Sequence, residues 1–268
     1  VIEQLLENET TIVIGKPVKW KKKIEANESE ESISISLHDS ASNISISAVS
    51  NYSIVPIDSD SVTLIDEGTT KTLLEYESDK EEEKTQRQLA ILEDAEQQGS
   101  TKAILENEVL QRSDISGKIE ELEQLIGTQG ENKTQDSQIT GAIVFETPES
   151  IESNTTLILN ETPQEITVEY TTIAPYVLEK DTGYGKEVKI ISDEHYSDVF
   201  TYTDIPQIGR EFVSLYWIQN DSRTLFENAT YLDSDLDGLV DRLEWMIPHL
   251  SNQTFEVSIT ILNVLSYP

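Results

Sequence analysis

From Thr11 to about Tyr76 apolar and polar residues alternate, as in Ile33, Ile35 and Leu37 and again in Ile44 and Ile46, with serines between them. Successive side chains of a strand point to opposite faces, so a period of two makes each such run a strand buried on one side. Turn-forming residues separate the runs at Gly15-Lys16-Pro17, His38 to Ser42, Asp58 to Asp60 and Asp66-Glu67-Gly68. This pattern predicts an N-terminal β domain over residues 1–77. The alternation returns beyond residue 138 in Ile166, Val168 and Tyr170, in Val188 and Ile190, in Phe200 and Tyr202, in Val213, Leu215 and Trp217, and in Phe255, Val257 and Ile259. It predicts a second β domain over 139–268. Pro163, Pro175, Pro206 and Pro248 are expected between these strands, where proline removes no ladder hydrogen bond. No repeat recurs at about 20–50 residues, which argues against solenoids and propellers.

Residues 78–127 have a different character. Ser78-Asp79-Lys80-Glu81 reads as a capping box, in which hydroxyl and carboxylate each satisfy an orphan backbone N–H. A helix is expected from Asp79 to Gln98, with Leu89, Leu92 and Ala95 on one face and Gly99 as its stop. A second is expected from Ser100 or Thr101, where Ile115, Ile119, Leu122 and Ile126 repeat at helical spacing before Gly127. Ser113 and Asp114 leave open a third short helix. The expected fold class is therefore mainly β, two β-sandwich-like domains with an inserted α-helical hairpin, which either docks on a neighbour domain or projects toward another chain. Residues 128–138, TQGENKTQDSQ, read as a solvated linker.

At 268 residues the chain is long enough for about two domains with cores of their own. Nineteen Lys and Arg against 51 Asp and Glu give a net charge of −32, which repels nucleic-acid phosphates and anionic lipid surfaces. No apolar run approaches the ~20 residues of a membrane helix, and Val1 opens neither a basic n-region nor a signal-like apolar stretch. The chain is thus expected to be a soluble mature protein or an excised segment, without direct membrane insertion. The absence of cysteine excludes disulfides, thiolate zinc sites and cysteine nucleophiles. Strong acidity also fits a halophilic origin, in which the charge serves solvation.

Ten of the twelve asparagines stand in Asn-x-Ser/Thr sequons: Asn8, Asn27, Asn43, Asn51, Asn132, Asn154, Asn160, Asn220, Asn228 and Asn252. Ser and Thr make up 52 of 268 residues, so chance would give roughly two. The excess points to N-linked glycans on an extracellular surface protein. A cysteine-free chain of this kind suits a prokaryotic cell surface better than a small animal secreted domain.

Asp233-Ser234-Asp235-Leu236-Asp237-Gly238-Leu239-Val240-Asp241-Arg242-Leu243-Glu244 follows the twelve-residue calcium-loop pattern. Carboxylates at loop positions 1, 3 and 5 converge only if the chain turns sharply at 6, where Gly238 stands. The expected Ca²⁺ ligands are Asp233, Asp235, Asp237, the Leu239 carbonyl, Asp241 directly or through water, and Glu244. Hard oxygen donors in that number favour Ca²⁺ over Mg²⁺. The flanks lack an exiting helix, so the loop is expected to act as a structural staple, with Leu243, Trp245 and Ile247 in the core.

Lys16, Lys19, Lys21, Lys22 and Lys23 form a basic cluster around Trp20, a candidate for docking an acidic partner or the solvated face of a strand. Gly183-Tyr184-Gly185 is expected to be a hairpin turn. The only histidines are His38, His195 and His249; His195 and His249 have no accompanying Ser or Cys motif, and no active site emerges.

The stretch from Lys189 to Ile259, with His195-Tyr196, Leu215-Tyr216-Trp217, the acidic loop, Trp245 and the run from Pro248 to Val257, resembles a module of very large surface proteins of small-genome archaea. Lys16-Pro17-Val18-Lys19-Trp20 resembles a strand preceding that module. The resemblance covers about half the chain and implies a surface-layer or adhesin-like glycoprotein built from β modules, with no catalytic residues to carry over. The expectation is a non-enzymatic structural module of a surface layer, stalk or filament, with other copies or neighbouring modules, N-linked glycans and a partner-cell surface as its partners. The alternative is a carbohydrate-binding or cell-adhesion module, which exposed Tyr and Trp on one sheet face would favour. A glycan-active enzyme is a third class, requiring two convergent carboxylates in a concave site.

Overall fold

The computed structural model describes residues 2–5, 11–25, 32–50, 53–130, 155–159, 165–220 and 222–260. It is mainly β, with two α-helices. In chain order the elements are β1 (Ile2–Leu5), β2 (Ile12–Val13), β3 (Val18–Glu25), β4 (Ile33–Leu37), β5 (Ser42–Ser50), β6 (Ser53–Pro56), β7 (Val62–Asp66), β8 (Thr69–Thr72) and α1 (Leu73–Gln98). There follow β9 (Lys102–Leu105), β10 (Glu108–Gln111), α2 (Arg112–Gly130), β11 (Thr155–Leu159), β12 (Glu165–Thr172), β13 (Tyr176–Thr182), β14 (Gly185–Ile208), β15 (Val213–Gln219), β16 (Ser222–Leu225), β17 (Ala229–Leu232) and β18 (Val240–Ile259). The chain forms two compact units, each assembled from separated stretches. The first comprises residues 1–6, 19–89 and 120–172, the second 7–18, 90–119 and 173–268.

The first unit holds a five-stranded sheet of order β1-β3-β12-β5-β6 and a four-stranded antiparallel sheet of order β4-β11-β7-β8. The alternation read from the sequence buries one row of each. Ile24, Ile44, Ile46, Ile166, Val168 and Tyr170 from the first sheet meet Ile33, Ile35, Leu37, Val62, Leu64, Leu157 and Leu159 from the second in one core. Tyr76 of α1 joins this core, its hydroxyl donating to the Ala41 carbonyl at 2.8 Å, and burial pushes its phenol well up from the usual value.

In the second unit a nine-stranded sheet is built around β14 and β18, which pair antiparallel from Gly185 opposite Ser258 to Ile208 opposite Val240. Both strands fold back on themselves. Lys186 Nζ lies 2.7 Å from the Asp204 carbonyl oxygen, although eighteen residues of straight strand would hold their backbones roughly 60 Å apart. Likewise the Trp245 and Phe255 rings are 5.2 Å apart. The reversal coincides with a register shift between Ile191 and Tyr196. Its interior holds Val188, Ile190, Val199, Leu215, Leu243, Ile247, Leu250, Phe255 and Val257, none exposed at all.

Several local expectations are corrected. Helix α1 begins at Leu73, before Ser78, because Thr72 and Glu75 form the capping box: Glu75 N donates to Thr72 Oγ1 at 3.3 Å, and Thr72 N donates to Glu75 Oε2 at 2.9 Å. The Thr72 backbone and side-chain hydrogen bonds hold the Glu75 carboxyl below its ordinary range. Asp79 is instead tied to Lys71 at 2.9 Å, and Lys80 to Glu83 at 2.9 Å. The stretch expected to open the second helix is the β9–β10 hairpin, turning at Glu106 and Asn107 with φ of 47° and 68°. Strand β9 finds its ladder partner in β13, a non-local pairing that overrides the helical propensity of Lys-Ala-Ile-Leu. Helix α1 does stop at Gly99, whose φ is 71°. Pro206 and Pro248 lie inside β14 and β18, not between strands. Pro206 falls in the register shift between Asp204 and Ile208, and Pro248 stands opposite Asp198, whose φ of 54° already interrupts the ladder. Helix α2 runs on past Gly127 to Gly130, through the first three residues of the expected linker; Pro163 and linker residues 131–138 lie outside the described residues. Among the described residues no helix is long and apolar enough to cross a membrane.

Candidate metal centre

The acidic loop joins β17 to β18. Asp233, Asp235 and Asp237 each bring one carboxylate oxygen within 4.8 Å of the others. Two oxygens bound to one Ca²⁺ at about 2.4 Å span at most about 4.8 Å, so the trio fits a shared hard cation. The turn that gathers them is made by backbone donors. Asp237 N donates to Asp233 Oδ1 at 3.1 Å, Gly238 N to Asp233 Oδ2 at 2.8 Å and Leu239 N to Asp237 Oδ1 at 2.8 Å. Leu236 and Gly238 take positive φ, 62° and 92°, which for Gly238 costs nothing. Gln207 of β14 donates to Asp235 Oδ2 at 2.6 Å.

The other expected ligands occupy the following places. Asp241 accepts from Ser234 N at 3.0 Å and Ser234 Oγ at 2.8 Å, closing the loop upon itself. Glu244 lies within β18, opposite Tyr202 and Thr230. Leu239 itself is 37% exposed. Leu243, Trp245 and Ile247 are in the core as expected. Trp245 stacks at a tilt on Phe255, which also meets Trp217 at 5.8 Å and Phe226 at 5.4 Å.

Of the sequon asparagines, Asn43, Asn220, Asn228 and Asn252 are described, and all four are exposed. Asn43 sits at the start of β5 with a φ of 53°, its backbone held by Glu77, which accepts from Asn43 N at 2.9 Å and Ile44 N at 2.7 Å. Asn8, Asn27, Asn51, Asn132, Asn154 and Asn160 lie outside the described residues.

The lysine cluster separates. Lys19, Lys21 and Lys23 share the outward row of β3, and Lys21 pairs with Glu169 at 2.8 Å. Lys22 points the other way, is buried, and donates to the Ser36 carbonyl. Lys16 is exposed in the second unit. Lys21 and Lys23 border a shallow depression of about 350 Å³, whose other walls include Ser45, Ser47, Glu165 and Thr167 and hold no aromatic ring. His38 Nδ1 is hydrogen-bonded to Tyr170 Oη at 2.8 Å, while His195 and His249 are exposed. Gly183 and Tyr184 form the β13–β14 turn.

Sequence reasoning missed a charged cluster in the second unit. Glu179 of β13 is not exposed at all, and its carboxylate accepts from Lys186 Nζ at 2.7 Å and Thr203 Oγ1 at 2.9 Å, with Lys102 Nζ at 3.4 Å. Lys102 also reaches Asp204 Oδ2 at 3.2 Å, and Arg242 Nε donates to Asp204 Oδ1 at 2.8 Å. Burial acts to raise the Asp204 carboxyl, but Arg242 and Lys102 together hold it below its usual range. No spacing announces this cluster, since its members are drawn from β9, β13, β14 and β18. Comparison with protein-family models, with curated proteins and with solved structures gives no match for the chain.

Proposed function

We propose that the chain is a non-enzymatic structural module of an extracellular, N-glycosylated surface protein, each unit a β-sandwich-like domain, the second tied by one Ca²⁺. The observation that carries this reading is the sequon excess, ten of twelve asparagines, joined to the exposure of all four that are described. Transfer of a glycan needs a solvent-facing amide on an extracytoplasmic chain. The resemblance of the C-terminal half to archaeal surface-protein modules points the same way. Asp233, Asp235 and Asp237 would hold the ion, which when bound neutralises their mutual repulsion. The aromatic residues favour a scaffold over a glycan-gripping face. Trp20 and Trp217 spend their indole N–H groups on Thr172 and Gln253, Trp245 is buried, and among the described tyrosines and tryptophans only Tyr184 is largely solvent-facing. The test is glycopeptide mapping after secretion from an N-glycosylating archaeal host. Occupancy is expected at Asn43, Asn220, Asn228 and Asn252; four bare asparagines on the secreted chain would overturn the reading.

A further inference from the structure

The cluster around buried Glu179 brings an amine, a proton carrier and, at its half-exposed rim, the carboxyl carbon of Asp204 together. Lys102 Nζ stands 3.2 Å from Asp204 Oδ2 and 3.4 Å from Glu179 Oε1. The two Asp204 oxygens have unlike surroundings: Oδ1 accepts from the Arg242 guanidinium at 2.8 Å, while Oδ2 faces the amine. Lys102 is 6% exposed and Glu179 not at all, and strands of the second unit fix both. We propose that Lys102 and Asp204 condense to an amide, a covalent cross-link between β9 and β14, with Glu179 carrying the proton.

The step balances without an added reagent. Glu179 takes a proton from the Lys102 ammonium and passes it to Asp204 Oδ2. The freed nitrogen lone pair attacks Asp204 Cγ, and Arg242 stabilises the negative charge that develops on Oδ1. A second proton passes from nitrogen through Glu179 to the Oδ2 hydroxyl, the charge on Oδ1 collapses back to a carbonyl as the Cγ–Oδ2 bond breaks, and that oxygen departs as water. Ammonium and carboxylate thus become amide and water, and their two charges disappear together. Two effects favour it. Groups held in contact by a rigid fold react as though at effective concentrations of roughly 10⁵–10⁸ M. Converting the pair into a neutral amide also removes the charge of the nearly buried Lys102, which desolvation penalises. In a chain with no cysteine, the amide would close a long loop as disulfides do elsewhere.

The experiment is intact-mass spectrometry of the denatured chain, made in a host without N-glycosylation, followed by tryptic mapping. The expected wild-type mass is lower than the sequence mass by one water, with one linked peptide pair joining Lys102 to Asp204. Lys102→Arg, which keeps the positive charge, and Glu179→Gln should both show the full mass. Asp204→Asn should lose ammonia in place of water, a shift that a mere salt bridge cannot produce. A wild-type chain of full mass, with trypsin cutting after Lys102, overturns the proposal. Undiminished cross-linking in Glu179→Gln overturns the role given to Glu179.

Discussion

Replacing Asp235 by Asn should change the sign of its effect with calcium. Three carboxylates within 4.8 Å of one another repel by about 0.9 kcal/mol per pair at the dielectric constant of water, about 2.6 kcal/mol for the three pairs. The loop is largely exposed, so salt at physiological strength removes roughly half of that. Asp235→Asn deletes two of the three pairs, and the apo protein should gain about 1 kcal/mol. With Ca²⁺ at a hundredfold excess over its dissociation constant, the wild type gains about 2.7 kcal/mol by mass action, and the variant forfeits most of this. For a chain of this size that is a shift of about 5–11 °C in Tm. The strain reaches the fold because the loop feeds β18, which pairs with β14, β15 and β17. The assay is thermal melting of both proteins in Ca²⁺ and in chelator, with calorimetric titration. The variant should melt above the wild type in chelator and below it in Ca²⁺. Identical wild-type melts in the two buffers, or a variant less stable than the wild type in chelator, would refute the reasoning.

Further outcomes are expected elsewhere. Thr72→Ala should cost about 1 kcal/mol through loss of the α1 cap, read by circular dichroism during urea unfolding. Glu75, held below the ordinary carboxylate range, contributes its share above that range and loses it as pH falls through its depressed folded value; an acid titration should therefore fray α1 in the wild type but leave Glu75→Gln unchanged over that window. Phe255→Ala should cost about 3–5 kcal/mol, because the ring is fully buried among Trp217, Phe226 and Trp245, and tryptophan fluorescence should report it. Gly185→Ala should prevent proper pairing of β14 with β18: its φ is +146° and an added Cβ would stand 2.0 Å from the Val257 carbonyl oxygen. A well-folded Gly185→Ala protein with wild-type amide exchange in β18 would contradict this.

The strands were legible because one-sided burial writes itself as a period of two, and Ile33, Ile35, Leu37 and Ile166, Val168, Tyr170 are buried as that pattern requires. The start of α1 was misplaced because Thr72-Leu73-Leu74-Glu75 and Ser78-Asp79-Lys80-Glu81 satisfy the same capping pattern, and only the position of β8 selects the first. Lys102 to Gln111 is made of good helix formers; its strand state depends on β13, some seventy residues away. The carboxylate trio was legible from spacing within a loop. Asp241 and Glu244 were placed by loop spacing alone; β18 begins at Val240, so both lie on its extended chain, and spacing does not reveal the Ser234 and β-ladder partners they meet. Glu179 was invisible among 51 acids because tertiary folding alone surrounds it with lysines.

The interleaving of the two units bears on how the chain is made. The first unit takes strands on both sides of the helices, so it lacks β11 and β12 until synthesis has passed residue 172. The second waits for β18. Neither can close as an early autonomous block on the ribosome, and most of its pairings span long stretches of chain, a topology that folds slowly. During that delay β3, β4 and β5 are exposed without their central partners. The alternating serines of β4 and β5 and the lysines of β3 then act as solubilising residues for strands that must wait.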